Sequence, residues 1–355
     1  MIRVLFVSRA TLFTQAGGDT LQMEQTALYL EKENLQVTIY NGQNVREEDF
    51  DILHFFNIGR PADLIRFTDW AIPKVISAIY IDYTEYDQKH RNGFAGWLAR
   101  IAGVHGTEYM KTIARGLKAK DRFPPLQYLL RGQKSSVKYL LKSCAIVITA
   151  SRQEEKALRK EFGHLPQVSV IPLGSEHFPA LSQTNTKRSG IVCAARIEGL
   201  KNQLNLIRAL KGTAISLKLI GKSTANQPGY LEECKVLAED SMQFTGPLTR
   251  EELAAEFQKA KVHVLPSYYE TTGLSTVEAL KSGCQVVITK RGAQAEIFGD
   301  HAFYCDPDDP ESIHAAIKKA LDSHVDHSHW VQSAFSWVSA AKKISDIYRS
   351  LLQNS

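Results

Sequence analysis

The sequence predicts an α/β protein built from two doubly wound parallel sheets. Two observations carry this. Short, nearly continuous apolar runs alternate with segments of helical period, the pattern of strands covered on both faces. The same rhythm then starts again after a polar stretch, and 355 residues exceed what one hydrophobic core ordinarily serves.

In the first half, Ile2 to Val7 reads as a buried strand, followed by a turn at Gly17-Gly18, a helix marked by Leu21, Ala27, Leu28 and Leu30, and a strand from Leu35 to Tyr40. The turn lacks G-x-G-x-x-G, which disfavours a dinucleotide cofactor. Two adjacent glycines still permit close approach of a phosphate or sugar, or form a plain flexible loop. Asp51 to Asn57 is the next strand, with His54 and Asn57 at its carboxyl end or His54 satisfied in the core. Lys74 to Asp82 follows and delivers Tyr80, Asp82, Tyr83 and Glu85 to the same edge, where Asp82 is a candidate proton acceptor or sugar ligand. Ala145 to Thr149 is a fifth strand. Ser151 caps a helix to Phe162 with Glu154 three residues on, the capping-box pattern, and Val168 to Pro172 closes the half.

Ser182 to Ser189 is polar and without pattern, a natural linker. Beyond it, strands at Ile191–Ala194, Ile215–Ile220, Met242–Thr245, Val262–Leu265 and Gln285–Thr289 alternate with helices at Asn202–Leu210, Tyr230–Ala238 and Glu251–Ala260. Trp330 to Leu352 forms two helical pieces with Phe335, Trp337, Ile344, Ile347 and Tyr348 on one face. The expected division is 1–180, with a basic helical insertion at 89–142, then 188–330, then a helical segment 331–355.

Charge is unevenly spread. The net is +5, yet Lys89 to Lys142 holds twelve Lys and Arg against Glu108 and Asp121, so the remainder is net acidic. Trp97, Leu98, Ile101, Tyr139, Leu140 and Leu141 set apolar faces beside that basic charge, suited to an anionic membrane or simply to packing on the same domain. No apolar run is long enough to span a bilayer, and the N-terminus does not have the form of a signal peptide, so a cytoplasmic protein is expected. Cys144, Cys193, Cys234, Cys284 and Cys305 have no C-x-x-C spacing, against both a disulfide framework and zinc. Gly221-Lys222-Ser223 lacks the first glycine of a phosphate loop, since residue 216 is Ser216. Asp306, Asp308 and Asp309 read as turn and cap residues, and His324, His327 and His329 as loop residues, rather than metal ligands.

Chemistry is densest from Leu265 to Glu278. A strand ends at Pro266-Ser267 and a helix begins near Gly273, so the amides of Gly273, Leu274 and Ser275 are first-turn donors suited to phosphate. Glu270 and Glu278, separated by seven residues, flank those amides. They fit a nucleotide sugar, or Glu270 is a capping acid and Glu278 a solvated face. Arg196 and Lys201, after the first strand of this half, can neutralise a diphosphate or are exposed loop cations.

Pro-Ser-Tyr-Tyr-Glu-Thr-Thr-Gly-Leu-Ser-Thr-Val-Glu-Ala-Leu with its E-x7-E pair, Arg196, Lys201-Asn202, Thr245-Gly246-Pro247-Leu248, Gly17-Gly18 and the turn at Glu296 together resemble the retaining glycosyltransferase family 4. The resemblance implies the GT-B architecture: two Rossmann-like domains facing across a cleft, with the C-terminal helix returning to the N-terminal, acceptor-binding domain. It implies transfer of a hexose-type sugar from a UDP- or GDP-sugar to a polysaccharide or lipid-linked glycan by front-face attack, with no metal and no other cofactor. By the same resemblance Glu278 holds the ribose, Glu270 a donor-sugar hydroxyl, the Gly273–Ser275 amides the sugar and phosphate, and Arg196 with Lys201 the departing diphosphate. Thr272, Leu248, Gly17 and Gly18 complete the donor-binding set. Where many members carry a histidine after the fourth strand, this chain reads Ile79-Tyr80-Ile81-Asp82-Tyr83, so Tyr80 or Asp82 takes that place; the asparagine often found before Ser151 is Ala150. A sugar-nucleotide epimerase of the same fold, or a non-catalytic sugar- or membrane-binding module, are the alternatives. The expected partners are a nucleotide sugar, a glycan or lipid-linked acceptor and an anionic membrane surface, such as the inner face of the plasma membrane, met through 89–142. Nucleic acid is not among them.

Overall fold

A computed structural model describes residues 1–89, 93–117, 123–179, 188–224 and 227–353. The chain divides into two compact units, Met1–Gly174 with Trp337–Ser355, and Ser175–Ser336. These boundaries differ from the expected 180/188 and 330/331. Ser175 to Phe178 is tied to the second unit: the Ser175 amide donates to the Phe335 carbonyl at 3.1 Å, and Lys281 Nζ donates to the carbonyls of Ser175 and Phe178 at 2.6 and 2.7 Å. The chain thus changes unit before the polar linker, whose residues 182–187 lie outside the described set.

The first unit runs β1 (Arg3–Val7), α1 (Gly18–Lys32), β2 (Gln36–Ile39), β3 (Ile52–Phe56), α2 (Pro61–Leu64), β4 (Lys74–Ser77), α3 (Thr84–Lys89), α4 (Gly93–Leu117), α5 (Leu126–Ser143), β5 (Ile146–Thr149), α6 (Arg152–Phe162) and β6 (Gln167–Val170). All strands are parallel, in the order β2-β1-β3-β4-β5-β6. The central strands bury both faces, as their unbroken apolar runs require. The strand expected to reach Asp82 stops at Ser77 because Ile79 adopts φ +49, a region a β-branched residue rarely enters. Glu154 holds that bend. Its Oε1 accepts from the Tyr80 amide at 2.8 Å and its Oε2 from the Ala150 amide at 2.7 Å. The capping box is therefore half formed: Ser151 Oγ accepts from the Glu154 amide at 3.0 Å, but the Glu154 carboxylate serves other amides. His54 does not emerge at the sheet edge. It is fully buried, 2.5 Å from Tyr348 Oη and 2.9 Å from Ser77 Oγ, and burial pushes its pKa down to about 3.

In the basic insertion α4 and α5 are interrupted at Gly103 and Gly132. Leu140 and Leu141 point into the core, whereas Ile101, Leu117, Phe123, Leu126 and Leu130 are exposed. The side chains of Trp97 and Leu98 lie outside the described set.

The second unit runs β7 (Ile191–Ala194), α7 (Gln203–Leu210), β8 (Leu217–Ile220), α8 (Pro228–Leu237), β9 (Met242–Gly246), α9 (Arg250–Lys259), β10 (Val262–Leu265), α10 (Leu274–Lys281), β11 (Gln285–Thr289), α11 (Gln294–Phe298), β12 (Phe303–Cys305), α12 (Pro310–Asp322) and α13 (Ser328–Ala334). Its order, β12-β11-β10-β7-β8-β9, is that of the doubly wound dinucleotide-binding sheet. The last helix, α14 (Trp337–Gln353), packs on α1 in the first unit and buries Trp337, Ile344 and Tyr348. Phe335 does not share that face. It packs on Phe298 and Trp330 in the second unit, with ring centroids 6.1 and 5.4 Å away.

Candidate functional site

In an open parallel sheet ligands bind at the carboxyl edge where strand order reverses. In the second unit that point lies between β7 and β10, whose ladder spans only Ile191↔Val262 and Val192↔His263. The loops leaving these two strands carry Arg196, Lys201 and Glu270.

Three backbone devices hold the loops together. The Tyr268 amide donates to the Leu200 carbonyl at 2.9 Å. Asn202, at φ +61, sends Nδ2 to the carbonyls of Pro266 and Pro307 at 3.1 and 2.7 Å. Gly292, at φ +69, lies so close to the Glu270 backbone that a Cβ there would stand 2.0 Å from the Glu270 carbonyl oxygen. Across the loops Lys201 Nζ pairs with Glu270 Oε1, and Ser267 Oγ donates to the same oxygen at 3.0 Å. Arg196 is half exposed, with Nη2 2.9 Å from Glu198 Oε1.

α10 starts as the sequence predicts. Gly273, at φ +70, is its N-cap, and a Cβ at that position would meet Gln294 Oε1 at 2.8 Å. Gln294 Nε2 in turn donates to the Thr271 carbonyl at 3.1 Å. The Leu274 and Ser275 amides stand in the first turn, without intrahelical acceptors by position, and Thr272 is buried beside them. Glu278 lies one turn on. It is not a solvated face: its side chain is 12% exposed and Oε1 accepts from His177 Nε2 at 2.9 Å. A carboxylate pair, two cations and a helix start thus share one sheet edge, a set able to receive a polyhydroxylated anion.

Residues 174–337 match the family model described as glycosyl transferases group 1. That match covers just under half of the chain. Among curated relatives, an MMP alpha-(1->4)-mannosyltransferase from Mycolicibacterium hassiacum is 26% identical over 222 residues, 58% of this chain and 54% of the relative. The chain spans about half the length of such curated relatives. Among solved structures, sucrose-phosphate synthase from Thermosynechococcus elongatus aligns with TM-score 0.75 and 17% identity over 100% of both chains. Anabaena HepE in complex with UDP and glucose aligns with TM-score 0.72 and 14% identity, over 99% of this chain and 100% of that one. The fold is GT-B.

Within the matched segment Leu248 follows β9 and packs, half-buried, on the core. Asp309 Oδ1 accepts from the Glu311 amide at 2.9 Å as the cap of α12, and Asp308 pairs with Arg291 at 3.3 Å. Among the described residues no cluster of three or more His, Cys, Asp or Glu is arranged to hold a metal ion. Gly17, Gly18 and Asp82 belong to the first unit. Gly17 caps α1. Asp82 Oδ1 accepts from the Thr84 amide at 2.9 Å, so it starts α3.

Sequence reasoning missed Arg9 and Asp19, which join Asn57 at the reversal between β1 and β3. Arg9 Nε is 2.6 Å from Asp19 Oδ2, and Asn57 Nδ2 donates to the same oxygen at 3.1 Å. Burial alone would raise the Asp19 pKa; the Arg9 guanidinium outweighs it and holds the carboxyl below its usual range. Asp19 adjoins the Gly17-Gly18 turn, and that adjacency was the available signal. His177 gave none, since it lies in irregular chain 101 residues from Glu278.

Proposed function

We propose that this protein is a retaining glycosyltransferase that moves a hexose from a UDP- or GDP-sugar to a polysaccharide or lipid-linked glycan. The observation that carries the reading is the assembly of Lys201, Glu270, Arg196, Glu278 and the α10 amides on the switch-point edge of one sheet. The presence of UDP with the HepE neighbour supports a uridine donor as one of the two.

In this reading Glu278 accepts from the ribose hydroxyls and Glu270 from a hydroxyl of the donor sugar. The anomeric C–O bond to phosphate breaks as the acceptor oxygen attacks from the same face, and its proton passes to a phosphate oxygen. Arg196, Lys201 and the first-turn amides of α10 take up the charge of the departing diphosphate. Those groups do what a divalent cation otherwise would, so a chelator leaves the rate unchanged. Phe123, Leu126 and Leu130, exposed beside Arg131 and Lys134, suit an anionic membrane that carries a lipid-linked acceptor.

The test is a panel of UDP-, GDP- and ADP-sugars scored by thermal shift, followed by product analysis with glycan acceptors and the binding donor. A new glycoside with the donor's anomeric configuration is expected. Donor conversion without an acceptor would favour an epimerase, and folded Glu278→Ala and Arg196→Ala variants that bind UDP and GDP like the parent would refute the site.

A further inference from the structure

We infer that His177 is a positioning residue of the donor site: it fixes the Glu278 carboxylate for the ribose and so sets the preference for ribonucleotides over deoxyribonucleotides. The inference rests on the proposed role of Glu278 as the ribose acceptor and adds to it a residue outside the E-x7-E stretch.

The geometry forms a closed circuit within the second unit. The His177 side chain is 1% exposed, and its Nε2 lies 2.9 Å from Glu278 Oε1. Among the described residues, Glu278 Oε2 has no hydrogen-bond partner and is not sealed from solvent. One oxygen is thus engaged and the other presented. Three residues along α10, Lys281 Nζ donates to the carbonyls of Ser175 and Phe178, which bracket His177 in the chain. α10 therefore grips the segment at both ends and receives its imidazole between them. Ser175 is tied again, by amide and hydroxyl, to the Phe335 carbonyl at 3.1 and 3.2 Å. Phe178 anchors the other side, 2% exposed with its ring 5.9 Å from Phe257.

An imidazole so held has little freedom to follow its partner. A Glu side chain on a helix otherwise samples several rotamers, and ordering it on binding weakens the complex. Here the ordering is already done. The carboxylate is left with the acceptor capacity that a pair of vicinal hydroxyls requires and a single hydroxyl cannot use fully.

The experiment measures, on the full chain, the affinity of whichever of UDP, GDP and ADP the parent binds most tightly, and of its 2′-deoxy counterpart. The parent is expected to favour the ribonucleotide about tenfold, the size of one charge-assisted hydrogen bond. His177→Phe removes the donor, and the preference should fall to about threefold or less while the deoxynucleotide affinity changes little. His177→Gln retains a donor and should keep most of the preference. A merely structural role would weaken both nucleotides alike. Should His177→Phe fail to fold, His177→Asn, too short to reach Glu278, should give the same narrowed preference. A parent-like preference in His177→Phe or His177→Asn, with Glu278→Ala abolishing it, overturns the inference alone. A preference that survives Glu278→Ala, or no binding of any of the three nucleotides, overturns the reading of the site and the inference with it.

Discussion

Lys201 and Glu270, on the loops that leave β7 and β10, form an ion pair in which the two side chains are only 14% and 11% exposed. A buried pair of this kind is costly to break from one side, because the remaining charge stays in a poorly solvated site. Lys201→Met should destabilise the protein by about 3–5 kcal/mol in urea unfolding. Lys201→Met with Glu270→Leu should recover most of that loss, the two changes being non-additive. Sugar transfer should be absent in both. Equal, additive losses would mean that the pair is not coupled.

Arg196 separates stability from binding. It is half exposed and meets Glu198 across 2.9 Å, so its ion pair adds little to the fold. Arg196→Ala should unfold within about 0.5 kcal/mol of the parent. Nucleoside diphosphate affinity should nevertheless drop by roughly tenfold or more, whereas the nucleoside alone should bind as before. Isothermal calorimetry with both ligands reads the difference.

Most strands and helices of both units were legible because their apolar runs report burial directly, though the short α2, α3 and β12 were not foreseen; the start of α10 was legible because Gly273 precedes a helical period. The seven-residue spacing of Glu270 and Glu278 can be read directly from the sequence. What each one touches cannot. The partners come from residues 69 and 101 positions away in the chain, Lys201 and His177, and no local pattern encodes such distances. The overextended fourth strand failed for a local reason. Lys74 to Asp82 reads as one largely apolar strand, but the Glu154 carboxylate draws the Tyr80 amide out of the ladder and Ile79 turns to φ +49. For His54 the run left both an edge and a core position open, and Tyr348, 294 residues away, holds it in the core.

Gly292 tests how rigidly Glu270 must be held. At φ +69 any side chain is strained, and an added Cβ would meet the Glu270 carbonyl oxygen at 2.0 Å, where the Ala293 amide also donates at 3.1 Å. Gly292→Ala should cost about 2–3 kcal/mol of stability, as strain at a special backbone position does. The chain must move at Glu270 itself. Turnover should therefore fall by about a hundredfold, far more than the small unfolded fraction explains. Parent-like turnover in the folded variant would show that Glu270 tolerates displacement.

Glu154 predicts a pH dependence in the first unit. Burial raises its pKa from 4.5 to about 7, against the opposing hydrogen bonds from the amides of Tyr80, Ala150 and Ile79. Between those two values the folded chain keeps a proton that the unfolded chain has released. The contribution of this group is therefore fully present below about pH 4.5 and is lost as pH rises through about 7, a change of about 3 kcal/mol. Glu154→Gln does not titrate, though it sets an amide donor against one of the backbone N–H groups and so carries a constant penalty. The stability difference between parent and variant should thus shift against the parent from about pH 4.5 to about pH 7 in urea unfolding and level off above that. A difference that stays flat would mean that the carboxylate is not displaced by burial, and that the bend at Ile79 is held equally well at every pH.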